Sequence, residues 1–182
     1  YKPLRPFLTL PKGPPRMTEL AISVAAVILF SAMCSLFEAV LLSSPLSHVE
    51  KLAQEGNRSG QIFRRLRQNV DRPLSAILSL NTIANTGGAA FAGAAFMRWL
   101  GDTGEDYDAY FQGFLTLSVL FFAEVIPKTV GAVFSRPLTA WIARPLLLLV
   151  WIFAPLIGLC RLATRMVPRQ EGQNDVSSDA IL

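Results

Sequence analysis

Phe121 to Gly131 reads FFAEVIPKTVG, and the reading of this stretch decides the fold. A carboxylate (Glu124), a proline (Pro127) and a lysine (Lys128) fall inside or at the end of an apolar run. An ionisable residue at membrane depth costs at least a few kcal/mol, so Glu124 reads as a functional residue. Pro127 has no N–H, and in a regular α-helix the carbonyl of Ala123, four residues earlier, then loses its partner. Such a carbonyl persists in a membrane only where protein, water or an ion meets it. Glu124, that carbonyl and the permissive Gly131 together have the make-up of a broken-helix cation site. The plainer reading is a proline-kinked helix in which Glu124 and Lys128 pair one turn apart.

The composition around this stretch sets the class. Of 182 residues, 52% are hydrophobic and 16% charged, where a soluble domain carries about 25% charged residues. Mean hydropathy is +0.40. The net charge of +4 gathers in short connections between apolar runs, as the positive-inside rule describes, so no nucleic-acid partner is expected. Cys34 and Cys160 lie in apolar runs without a CxxC spacing and read as small hydrophobes. An intramembrane enzyme is not expected. A serine protease needs a base beside its nucleophile, and the single histidine, His48, lies outside the spans as a solvated loop residue. An aspartyl protease needs paired Asp residues, which the spans lack.

Outward from Phe121, the chain reads as an all-α membrane protein with three transmembrane helices and cytoplasmic juxtamembrane or belt helices partly embedded in the inner leaflet. Residues 1–16 are proline-rich and basic and form an N-terminal arm or a cloning remnant. The membrane domain covers 17–168, with spans at about 20–44, 73–100 and 111–134. Between the first two spans, 45–72 is polar and basic. Its pattern of Val49 and Leu52, then Ile62, Phe63 and Leu66, predicts two short amphipathic helices separated by Gly56–Gly60. Gly101 to Tyr110 is acidic and fits an outside loop. Pro137 to Val167 is apolar, but Pro145 and Pro155 divide it and arginines flank it. It is expected as broken belt helices in the inner leaflet, with a fourth crossing as the alternative. Residues 169–182 form a polar tail expected to be disordered. Three crossings put the N-terminus outside and the C-terminus in the cytoplasm, in a multi-pass protein of the cell inner (plasma) membrane.

Polar residues of the three spans meet at one depth. Ser31, Ser35 and Glu38 share a face of the first span at i, i+4, i+7 spacing, although span serines often hydrogen-bond only their own backbone. Asn81 and Asn85 lie one turn apart in the inner half of the second span, as ligands or as interhelical glue. Glu124 lies near the inner end of the third. The outer half of the second span, GGAAFAGAA from Gly87 to Ala95, permits close packing within a subunit or across a dimer. Hydroxyl, amide, carboxylate and carbonyl oxygens suit Mg²⁺, Ca²⁺ or Na⁺, and the missing thiolate and imidazole argue against zinc or copper.

The motifs SLFEAVLLS (Ser35–Ser43), NTIAN (Asn81–Asn85) and EVIPKTVG (Glu124–Gly131) resemble, in this order, the transmembrane domain of the CNNM/CorC magnesium transporters, from about Leu20 to about Val167. The resemblance implies a homodimeric, three-span domain in the lipid bilayer that carries dehydrated Mg²⁺ outward, driven by Na⁺ entry, with Co²⁺ open as an alternative cargo. It implies Ser35, Asn85 and Glu124 as side-chain ligands and Gly131 as a backbone-carbonyl ligand. Ser31, Glu38 and Asn81 would line the same cavity, open to Na⁺, with Pro127 and Lys128 bordering it and hinging near Pro127 and Gly131. Family members continue into a CBS-pair domain that binds adenine nucleotide, and these 182 residues hold no such domain. The alternative function is a non-transporting membrane module that senses the ion or scaffolds a partner.

Overall fold

The computed structural model describes residues 17–101 and 104–165. The arm at 1–16 and the tail at 169–182 lie outside the described residues. Among those described, all regular structure is helical: α1 (Met17–Ser43), α2 (Leu46–Gln54), α3 (Arg58–Gln68), α4 (Asp71–Leu100), α5 (Gly104–Ser118), a π-helical turn (Val119–Val125), α6 (Ile126–Val133), α7 (Ser135–Ile152) and α8 (Ala154–Arg165).

Among the described residues, two helical stretches are long and apolar enough to cross a membrane, Met17–Ser43 and Tyr107–Val133, each of 27 residues and so about 40 Å long at 1.5 Å per residue. The second comprises most of α5, the π turn and α6. Helix α4 has the length, at 30 residues, but Ser75, Ser79, Asn81, Thr82, Asn85 and Thr86 make its N-terminal half polar. The basic connection forms the two expected short helices. Pro45 ends α1 and takes the extended conformation that begins α2, and the Asn57 side chain caps α3 by accepting the Ser59 N–H at 2.9 Å. The expected acidic loop is shorter than its sequence implied, because α5 already starts at Gly104. Acidic residues in a first helical turn are favoured by the helix dipole.

Helices α1 and α4 run antiparallel. Arg98 near the end of α4 meets Glu19 at the start of α1 at 3.8 Å, and Ser31 meets Asn81 midway. Their close approach needs Gly88, where a Cβ would collide with the Val27 side chain. The small-residue stretch of α4 is thus used within the subunit. Helix α5 packs against α4, where Phe111 stacks on Phe96 with ring centroids 4.3 Å apart.

The dry core lies at the opposite end, where the spans meet the short helices. Phe37 and Leu41 of α1, Phe63 of α3, Ile77 of α4, and Ile142 and Leu146 of α7 pack together there. The C-terminal carbonyls of α1 face this junction and need donors. The Arg67 guanidinium of α3 supplies them, donating to the carbonyls of Leu41 and Ser44, both at 2.6 Å. The Ser44 and Thr139 hydroxyls hydrogen-bond across the buried α1–α7 contact at 2.8 Å. His48 is no solvated loop residue: it lies on α2, and its ring Nε2 is 3.1 Å from the carbonyl of Arg136.

Two expectations for the last segment change. It begins at Ser135, and Pro145 sits inside α7 without breaking it. The only break falls at Phe153, after which Pro155 occupies the first turn of α8, where its missing N–H leaves no helical bond unmade. One face of α7 (Thr139, Ile142, Ala143, Leu146, Leu149) is buried, while Trp141, Leu148, Trp151 and Ile152 on the other side are exposed. An apolar stripe on each side of one helix requires two partners, the core and a second apolar medium.

Because Arg67 satisfies two helix-terminal carbonyls with a charged donor, Arg67→Ala is expected to destabilise the domain by about 1–3 kcal/mol. Thermal unfolding in detergent checks the magnitude. Hydrogen exchange should quicken at the end of α1 before it does at α5.

Candidate cation site between the spanning helices

Hydroxyl groups in an apolar helix ordinarily turn back to the carbonyl four residues earlier. Ser23, Ser75, Ser79, Thr82, Thr116 and Thr129 all do so, at 2.7–2.9 Å. Ser31 and Ser35 depart from this habit. Ser31 Oγ donates across to Asn81 Oδ1 of α4 at 2.9 Å. Ser35, one turn further along the same face, is buried, and its Oγ has no hydrogen-bond partner.

The Asn81 oxygen also receives the Asn85 Nδ2 at 3.4 Å. That contact fixes the Asn85 amide with its nitrogen toward Asn81 and leaves Oδ1 for something else. Asn85 Oδ1 is buried and unpartnered too. Among the described residues, these two oxygens are the only buried side-chain polar atoms without a partner. Each costs about 1–3 kcal/mol if left so, a large share of a net stability of about 5–15 kcal/mol. Native structures rarely keep such atoms without a functional reason.

Gly131 of α6 closes the site against α1. It is buried, and a Cβ there would lie 2.8 Å from Ala39 Cβ and 3.1 Å from the carbonyl oxygen of Leu36, the residue after Ser35. Only glycine lets α6 approach α1 this closely. The π turn precedes it. Its last bond runs from the Ile126 N–H to the Phe121 carbonyl, a five-residue spacing in place of four. In the π register the carbonyl opposite Pro127 is that of Phe122 in place of Ala123, and Pro127 can donate to neither. No residue type in the sequence marks this turn apart from Pro127, which cannot continue the π ladder.

The Glu124–Lys128 pair of the plainer reading does not form. Lys128 reaches across to Glu38 of α1, with Nζ 3.3 Å from Oε2. Glu124, on the π turn and half-buried, is left without a hydrogen bond or ion pair among the described residues. The structure thus joins Ser31, Asn81 and Asn85 in one chain, sets Gly131 beside Leu36, and couples Glu38 to Lys128. Glu124 is not brought within hydrogen-bonding distance of Ser35 or Asn85. No group of three or more His, Cys, Asp or Glu side chains able to hold a metal occurs among the described residues.

Comparison with known proteins matches residues 22–181 to the family model for the cyclin M (CNNM) transmembrane N-terminal domain. The chain belongs to the CNNM family. A UPF0053 protein of Synechocystis is 36% identical over 143 residues, covering 79% of this chain and 40% of that protein. A UPF0053 protein of Haemophilus influenzae is 32% identical over 149 residues, covering 82% of this chain and 35% of its own length. The UPF0053 inner membrane protein YfjD of Escherichia coli is 35% identical over 124 residues, 66% of this chain and 28% of that protein. The CNNM domain thus spans well under half the length of these relatives. It is a membrane domain, and one relative is named as an inner membrane protein.

Removing an unpaired buried hydroxyl should relieve strain, and removing a paired one should not. Ser35→Ala is therefore expected to leave the cation-free domain as stable as the parent or more stable by up to about 1–3 kcal/mol, whereas Ser31→Ala loses about 0.5–1.5 kcal/mol. Parallel thermal melts in chelator compare the two.

Proposed function

We propose that this domain binds dehydrated Mg²⁺ between α1, α4 and the α5–α6 stretch and carries it across the membrane, outward, in exchange for Na⁺. The observation that supports this reading most is the pair of unpartnered buried oxygens, Ser35 Oγ and Asn85 Oδ1. A small hard cation that sheds its water needs oxygen ligands to replace it, and two oxygens held without donors lose no hydrogen bond by turning to it. The Gly131 backbone carbonyl and Glu124 complete the proposed ligand set, with Glu124 supplying negative charge. That role needs Glu124 to move toward the neutral ligands. A π turn followed by proline is a place where a helix can change register, so the motion is proposed there and at Gly131.

Glu38, Ser31 and Asn81 form the proposed Na⁺ side of the same cavity. The Glu38–Lys128 pair gives a reason for coupling. Lys128 neutralises Glu38 when no cation does, and Na⁺ at Glu38 would release Lys128. In this reading α4 is the third crossing. Its polar inner face is turned to α1, as the Ser31–Asn81 bond supports. The basic α2–α3 connection faces the cytoplasm, with α7 and α8 as a belt in the inner leaflet, the N-terminus outside and the C-terminus inside. The exposed apolar residues of α5 and α6, among them Phe114, Leu117, Phe121 and Phe122, face lipid and, in a proposed homodimer, a second copy.

Mg²⁺ flux in proteoliposomes, with and without a Na⁺ gradient, tests the proposal. The parent chain should move Mg²⁺ only with the gradient. Asn85→Ala and Glu124→Ala should each lower the rate at least about tenfold, as expected if a ligand worth 1.4 kcal/mol or more is lost. Mg²⁺ binding without flux in the parent would assign the domain instead to ion sensing, and normal flux in both variants would remove the site.

A further inference from the structure

One cavity lies apart from the cation site, at the level of the belt. It opens between α3, the start of α4 and the second half of α7, with a volume of about 360 Å³. Arg65 and Gln68 of α3, Asn69 just after it and Arg72 of α4 line it, together with Leu147 and Val150 of α7. Two grooves along the long helices, of about 700 and 290 Å³, contain no charged lining residue. This one combines two guanidinium groups with an apolar wall.

The arginines are not occupied elsewhere. Arg67, between them in sequence, is committed to the α1 carbonyls, whereas Arg65 and Arg72 enter no ion pair among the described residues. Asp71 is the nearest acidic residue in sequence, but it is exposed and does not line the cavity. Beyond Leu147 and Val150, the wall continues onto the exposed side of α7, with Leu148, Trp151 and Ile152. Trp at such a boundary is characteristic of the membrane interface. A ligand that satisfies both halves has an anionic phosphate at one end and hydrocarbon at the other.

We infer that this cavity binds the headgroup of an anionic glycerophospholipid of the inner leaflet, its phosphate between Arg65 and Arg72 and its acyl chains along α7. Guanidinium groups match phosphate oxygens by paired donors, and basic pockets between helices on the cytoplasmic side are suited to acidic lipid heads. The inference rests on the membrane placement of α3 and α7 proposed above. A lipid held there would tie α3 and α7 together at the junction that receives the end of α1.

Native mass spectrometry of the purified chain, titrated with phosphatidylglycerol, phosphatidylcholine or inorganic phosphate, tests this. Phosphatidylglycerol should be retained over phosphatidylcholine. Arg65→Gln/Arg72→Gln should weaken its binding roughly ten- to thirtyfold, at about 1 kcal/mol per arginine, while Arg58→Gln/Arg64→Gln should leave it unchanged. Equal losses in both double variants, or no loss in the first, would overturn the inference. Displacement of the lipid by equimolar inorganic phosphate would also overturn it, in favour of a free-anion site.

A second measurement does not depend on the arginine variants folding. In a Trp99→Phe/Trp141→Phe chain reconstituted in vesicles, brominated phosphatidylglycerol should quench Trp151 more strongly than brominated phosphatidylcholine does. Equal quenching contradicts the site. Mg²⁺ binding is read in the same samples, so loss of lipid with Mg²⁺ retained separates failure of this inference from failure of the transport reading.

Discussion

Inside a membrane a polar atom has no bulk water to turn to, and the CNNM domain follows from how its oxygens meet that constraint. Several helical hydroxyls are silenced by their own backbone. Ser31 is tied to Asn81, and Asn81 orients Asn85. The same bond that fixes the Asn85 amide leaves its oxygen, like the Ser35 hydroxyl, without a protein partner. The interhelical chain therefore does two things at once: it holds α1 to α4, and it presents unsatisfied oxygens at the α1–α4 contact. An apolar residue at either position would pack as well and cost less, so stability alone does not account for this arrangement.

The packing elsewhere serves to hold this contact in place. Lipid-facing surfaces give helices little hydrophobic reason to associate, and the two most apolar stretches are largely exposed along their length. Association is concentrated instead at the end away from the Glu19–Arg98 pair, where α2, α3, α7 and α8 cover the long helices with an apolar core. Arg67 and the Ser44–Thr139 pair bind the end of α1 into that core. The α5–α6 stretch buries few of its side chains and comes closest to α1 where Gly131 lies against Leu36 and Ala39. The π turn in this stretch is where the proposed change of register would fall.

Much of this was legible in the sequence because the signals were local. The apolar runs, the basic connection and the Pro45 boundary set α1, α2 and α3 to within a few residues. Ser31, Ser35 and Glu38 could be placed on one face because helical periodicity alone fixes it. The features that were not legible depend on distance in space or on small changes of backbone register. Nothing near Lys128 announces that it prefers Glu38 of α1 to Glu124 four residues away. The π turn replaces a four-residue spacing by five without a residue type of its own. Pro145 read as a break because proline usually is one, yet α7 passes through it, held on its buried face by Ile142, Ala143 and Leu146. That Arg67 rather than a neighbouring arginine caps α1 follows only from how α3 lies across the helix end.

The central claim is that Ser35 and Asn85 keep their oxygens unpaired for a cation. Anomalous diffraction from crystals soaked in Mn²⁺, an octahedral oxygen-seeking substitute for Mg²⁺, addresses it directly. The account predicts a single strong peak within coordination distance of Ser35 Oγ, Asn85 Oδ1 and the Gly131 carbonyl, lost in Asn85→Ala. A peak at Glu38 or in the α5 acidic turn with none at Ser35 would contradict it.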